Sequence, residues 1–165
     1  MKKILLVFLG VSMLKCIIIC AFLLGTIVVA LASESEKPCT RQEARQAEEQ
    51  IDLSLDWDGV YRLYKNFAHC DDASISEGFS DVVSNLLSEK WSTIYRLNQL
   101  VSRDEGFERF VLKHIDELMS PDQAKKIHNN AVTHCPSDAR RLCKAISDRV
   151  KEIDEALERT KRGRP

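Results

Sequence analysis

The run His69-Cys70-Asp71-Asp72, with Glu77 and Asp81 following, is the densest grouping of proton- and metal-active side chains in the sequence. Imidazole beside carboxylate is the material of general acid–base chemistry and of a site for a hard or borderline cation. A structural job would use the same residues. A helix ending at a cysteine, followed by acidic residues at the next helix start, puts carboxylates where unpaired backbone N–H groups and the helix dipole favour them. No third histidine lies close in the chain. The expectation is therefore a structural turn, with His69, Asp71, Asp72, Glu77 and Asp81 offering a binding surface. The competing expectation is a small cell-envelope hydrolase or ligand-binding envelope factor working through the Cys70–Glu77 acidic cluster.

A second group, His114 with Asp116 and Glu117, then His128 and His134, matches no standard ligand spacing. Residues six apart do not share a tight helix face, so these read as surface or partly buried helix histidines. Nucleophile motifs are missing: the sequence has no Gly-x-Ser-x-Gly, no P-loop and no His-Glu-x-x-His. Ser80 follows Gly78-Phe79 in what reads as mid-helix, without a second glycine. No catalytic, cofactor-binding or metal residue is assigned on these grounds, and no cofactor is expected.

Whether the cysteines are reactive depends on compartment, and residues 1–32 speak to that. Met1-Lys2-Lys3 leads into a long apolar run closing on Ala30-Leu31-Ala32, and the polar Ser33-Glu34-Ser35-Glu36 follows at once. Small residues three and one places before a cut suit signal peptidase, so residues 1–32 read as a signal peptide cleaved after Ala32. Lys15 in the middle of the leader suggests Met13 as an alternative start. The other reading is an uncleaved anchor, since the 17 residues from Cys16 to Ala32 carry no charge and reach the lower limit for spanning a bilayer. Both place residues 33–165 outside the cytoplasm, in a periplasm or extracellular space. Membrane attachment is expected only if the leader stays.

Cys39, Cys70, Cys135 and Cys143 remain beyond the leader, an even number in an exported domain, which points to two disulfides. Short loops close at lower entropic cost, favouring Cys135–Cys143 with Cys39–Cys70. However, if Pro136 opens a helix, Cys143 lies two turns along it, about 12 Å away, too far for a disulfide. A bond from Cys70 to one of the C-terminal pair thus stays open.

Three of the 24 Lys plus Arg residues and none of the 25 Asp plus Glu fall in the leader, leaving a net charge of −4 beyond it. A mildly acidic chain has no general attraction for nucleic acid, whose binding is dominated by phosphate neutralisation; no nucleic-acid partner is expected. The one basic block, residues 161–165 with Arg159 before it, reads as a disordered tail.

The elements that must position these residues are helical. Thr40-Arg41-Gln42-Glu43 is a capping box opening a polar helix to about Leu53. Asp56 can cap a helix whose Trp57, Val60, Tyr61, Tyr64 and Phe67 share one face. A third starts at Asp72 or Ser74, where Ser74-Ile75-Ser76-Glu77 is a second box, and carries Phe79, Val83, Leu86 and Leu87. A fourth bears Trp91, Ile94, Tyr95, Leu97 and Leu100. Ser102-Arg103-Asp104-Glu105 caps a fifth that buries Phe107, Phe110, Val111, Ile115 and Leu118. Ser120-Pro121-Asp122-Gln123 starts a sixth. Pro136 opens the last, with Leu142, Ile146, Val150, Ile153 and Leu157 at helical spacing. The fold class is all-α: a single domain over residues 33–160, a bundle of six or seven short helices stapled by disulfides.

The pattern His69-Cys70-Asp71-Asp72, Glu77-Gly78-Phe79-Ser80, Leu86-Leu87, Trp91, Phe107 through Phe110-Val111-Leu112-Lys113-His114-Ile115-Asp116, and Cys135-Pro136 to Leu142-Cys143 resembles a family of small exported bacterial proteins of unassigned function. The match covers about residues 56–147 and implies an exported, mostly helical domain. In size, export, helicity and cysteines the chain is also similar to Tai- and Rap-type periplasmic immunity proteins, which bind and block peptidoglycan amidase toxins. That similarity implies a non-enzymatic interaction protein whose partner is a toxin or envelope enzyme.

Overall fold

The computed structural model describes residues 37–54 and 56–163. The expected leader, its cut after Ala32 and the last two residues of the basic tail lie outside the described residues.

Thr40 starts α1 (Arg41–Ile51) as its capping box requires. Its hydroxyl accepts from the Glu43 amide, and Glu43 Oε2 accepts from the Thr40 amide at 3.0 Å. Asp56 caps α2 (Trp57–Phe67), accepting from the Gly59 amide at 2.8 Å; α2 tightens into a 3₁₀ turn over Ala68–Cys70. Next come α3 (Ala73–Glu89), a 3₁₀ turn Trp91–Thr93, α4 (Ile94–Val101), α5 (Glu105–Lys113), α6 (Pro121–Thr133) and α7 (Arg140–Arg162). Ser120, Pro121 and Gln123 form the expected box at the start of α6. All regular elements among the described residues are helical.

The apolar stripes meet in one core. Trp57, Phe79, Leu87, Phe107, Ile127, Leu142 and Ile146 are all closed to solvent. α6 packs on α7 and α3, while α1 packs on α3 and α2. Phe79 and Phe110 meet edge-to-face at 4.9 Å, and Tyr61 meets Phe107 likewise, an arrangement favoured by the ring quadrupole. Asp104 ties α2 to α5. It caps α5 by accepting from the Phe107 amide at 3.1 Å, and it accepts from Tyr61 at 3.2 Å and Lys65 at 3.3 Å.

Several boundaries differ from the sequence expectation. α3 begins at Ala73 with Asp72 as its cap, so Ser74 already lies in the first turn and the Ser74–Glu77 box does not form. Ser74 instead donates to Glu48 of α1 at 2.8 Å. Ser102 closes α4 by donating to the Asn98 carbonyl and leaves the capping of α5 to Asp104. α5 ends at Lys113, so Leu118 falls beyond it and is 55% exposed, not buried. Tyr95 is likewise exposed, and Leu157 is 40% exposed because α7 has passed its last buried residue, Ile153. The helix also runs to Arg162, so Lys161 and Arg162 of the expected tail are helical.

Both favoured disulfides are present: Cys39–Cys70 with Cα atoms 4.9 Å apart, and Cys135–Cys143 at 6.1 Å. The geometric objection to the second fails because Pro136 does not open a helix. Pro136 to Ala139 form a turn, closed by the Ala139 amide on the Pro136 carbonyl at 3.0 Å, and α7 begins at Arg140. That turn folds Cys135 back over the first turn of α7.

Candidate functional site

The residues singled out in the 69–81 segment do not converge. Asp71 turns inward. Its Oδ1 is 3.0 Å from His114 Nε2, and its Oδ2 accepts from Lys113 Nζ at 2.8 Å. His114, which the sequence suggests is a surface or partly buried helix histidine, is instead wholly buried at the end of α5, with its ring against Phe110 and Phe79. Its Nδ1 is 2.8 Å from the Phe110 carbonyl. Both ring nitrogens thus face acceptors, and both bonds are made together only when the ring carries both protons. Burial is the largest influence on the Asp71 carboxyl and pushes its pKa up. Hydrogen bonds from His114 and Lys113 together outweigh it and bring the carboxyl down to about 2. The backbone that delivers Asp71 is itself unusual: Ala73, two residues on, has φ 46°, in the left-handed region.

This pair is wired as a clamp. Catalysis by a His–Asp pair needs an imidazole nitrogen facing a nucleophile or substrate. Here the second nitrogen faces a helix carbonyl, and no hydroxyl of the described residues bonds to it. Ser80, the buried serine after Gly78-Phe79, donates instead to Asp116 Oδ2 at 2.6 Å, joining α3 to the segment after α5. His128 is half-buried, 3.1 Å from Ser147 of α7, and His134 is exposed. The three C-terminal histidines therefore belong to three separate environments.

His69 stands on the other side of the turn, beside the Cys39–Cys70 bridge. Its buried Nε2 is 3.3 Å from Glu43 Oε1, within ion-pair reach, but is not aligned for a hydrogen bond with any described residue. Lys37 on Oε1 is the main cause that holds the Glu43 carboxyl down at about 2, with Thr40 on Oε2 adding to it. Sequence reading missed Glu43 here, because its capping-box role accounted for it fully.

Asp72 is occupied as the α3 cap, accepting from the Ala73 amide at 2.8 Å. Glu77 is exposed on α3. Asp81, one turn on, lines a groove of about 370 Å³ between the end of α1 and α3. Ile51, Val82 and Leu86 line it together with Asp52, Glu89 and Lys90. Gly78 keeps α1 close: a Cβ there would lie 3.1 Å from Ile51 Cγ2. Neither Asp52 nor Asp81 pairs with a cation among the described residues, whereas Glu89, also on the groove, is held by Lys126 at 2.8 Å.

No family model, curated protein or solved structure matches this chain. The site is thus read from its own geometry. That geometry separates a buried clamp (Asp71, His114, Lys113), a cysteine-flanked histidine (Glu43, His69) and an outward groove edged by two carboxylates. No helix among the described residues is long and apolar enough to cross a membrane.

Proposed function

We propose that the chain is an exported, non-enzymatic interaction protein whose partner is another protein. An immunity or inhibitor protein that blocks a toxin or cell-wall hydrolase is its most concrete form. Two disulfides support export, since such bonds persist in oxidising compartments.

The observation that carries the reading is the groove between α1 and α3. Its lining combines apolar Ile51, Val82 and Leu86 with the carboxylates of Asp52, Asp81 and Glu89 and the single cation Lys90, and Leu53, 78% exposed, stands between Asp52 and Ser54, which both line it. A net-acidic lining with an apolar component suits a partner segment with an apolar anchor flanked by Lys or Arg. Complementary charge of this kind speeds encounter and selects the partner. The net charge of −4 beyond the leader acts in the same direction.

The test is a photo-crosslinking residue at Leu53 in cells, with the captured partner identified, purified and titrated. Asp52→Lys together with Asp81→Lys should weaken binding by about tenfold or more, roughly 1.4 kcal/mol. An unchanged affinity would remove the groove from the interface. Turnover of cell-wall fragments by the purified protein, lost in a folded Glu77→Gln or Asp81→Asn variant, would replace this reading with the hydrolase.

A further inference from the structure

The Glu43 carboxylate, the His69 imidazole and Cys70 Sγ place their ligand atoms within 4.8 Å of one another. Cys39 Sγ, bonded to Cys70 Sγ, brings a fourth donor to the same point. Two sulfurs, one imidazole nitrogen and one carboxylate oxygen make a complete tetrahedral donor set for zinc, with metal–ligand distances of about 2.0–2.3 Å. Donors around such an ion stand roughly 3.5 Å apart, so the cluster has about 1 Å to close. His69 Nε2 is buried and, although 3.3 Å from Glu43 Oε1, makes no aligned hydrogen bond among the described residues, a condition proteins rarely leave unmet. Cys39 lies in the exposed, irregular segment ahead of α1, where the backbone can shift when the sulfur–sulfur bond opens. The usual zinc spacing is missing from the sequence because Cys39 and the His69-Cys70 pair are some 30 residues apart.

We infer that the Cys39–Cys70 pair is a redox-gated zinc site: the reduced form binds one zinc ion through Cys39, Cys70, His69 and Glu43, and oxidation expels it. Two equivalents of a thiol reductant open the bridge, giving two protein thiols and one reductant disulfide. Zinc then binds both sulfurs as thiolates, and their two protons pass to solvent. In the reverse direction a disulfide oxidant accepts the two electrons, the Cys39–Cys70 bond re-forms, and the sulfurs are lost to the metal. The thiolates favour zinc over magnesium or calcium. Lys37, now on Glu43, must yield its position when the carboxylate turns to the metal.

The experiment uses the Cys135→Ser/Cys143→Ser variant, so that only one dithiol can form. The protein is treated with a phosphine reductant, which takes up the oxygen of one water as it opens the bridge, then desalted and titrated with zinc alone against a chromophoric chelator. Cobalt serves as a spectroscopic substitute reporting thiolate ligation. The expected result is one zinc per reduced chain and none per oxidised chain. Zinc should raise the melting temperature of the reduced form and leave the oxidised form unchanged. His69→Ala or Glu43→Ala should weaken zinc binding by at least about 10–100-fold, the loss typical of even an outer-shell partner. Circular dichroism of the oxidised variants checks that they fold. Affinity unchanged in both variants would show a bare pair of thiols and overturn the site. So would no zinc uptake, or a reduced chain that unfolds and is not restored by the metal.

Discussion

His114 Nε2 lies 3.0 Å from Asp71 Oδ1, joining residues 43 positions apart at the point where α5 ends and α3 is about to begin. The pair ties the turn ahead of α3 to the end of α5, and Lys113 holds the other carboxylate oxygen. A buried, hydrogen-bonded carboxylate of this kind adds little net stability compared with an apolar substitute but costs much when its partner is removed.

Asp71 makes stability depend on acid. Its carboxyl sits at about 2 in the fold, against an ordinary value of 3.8. A depressed carboxyl stabilises the fold above its unfolded pKa and loses that contribution as pH falls through the folded value. The contribution, roughly 2 kcal/mol, should be intact above about pH 5 and gone near pH 2. Urea denaturation of the wild type and Asp71→Asn across that range should show the gap between them closing. A gap of constant size would mean the carboxylate is not the group responsible.

His114→Leu roughly keeps the buried volume but leaves Asp71 Oδ1 without its partner, with only Lys113 on Oδ2. It should cost about 3–5 kcal/mol. Adding Asp71→Asn to it should recover part of the loss, with a coupling of about 1–3 kcal/mol in a double-mutant cycle. Strict additivity would separate the two residues energetically.

The two disulfides should differ in worth. Cys39–Cys70 closes a separation of 31 residues and Cys135–Cys143 one of 8. By loop entropy, replacing the first pair with alanine should cost about 3–4 kcal/mol and the second about 2–3 kcal/mol. Denaturant midpoints of the two double variants give the order, and a reversed order would show that native-state geometry outweighs the loops.

Ser80→Ala removes the 2.6 Å hydrogen bond to Asp116. The cost should be about 1–2 kcal/mol, and amide exchange should rise over residues 115–119, where Asp116 Oδ1 also accepts from the Leu118 amide. Unaltered exchange there would mean that the segment is held by Arg149, which donates to the Ile115 carbonyl at 3.0 Å.

What the sequence made legible was local. Thr40 with Glu43, Asp56, and Ser120 with Gln123 are caps whose partners lie three residues away, and each forms as read. The start of α7 was misplaced because Ala139 offers no side-chain cap to announce it, so Pro136 was the only visible punctuation. Helical spacing was carried through to Leu118 although α5 stops at Lys113. The state of His114 was out of reach for a different reason. Nothing within its own helix records that Phe79 and Asp71 will close over it. Glu43 and His69 met for the same kind of reason, through the Cys39–Cys70 bridge and not through any spacing.

Among the four cysteines of the described residues, the bridges join each to its neighbour in sequence, Cys39 to Cys70 and Cys135 to Cys143, without interlocking. If the chain is exported N-terminus first and loses residues 1–32, as proposed, only Cys39 is present as a mate when Cys70 emerges. Cys39–Cys70 can be sealed before Cys135 exists outside the pore. Under the proposed export, the chain's yield should then be indifferent to the loss of a disulfide-shuffling enzyme.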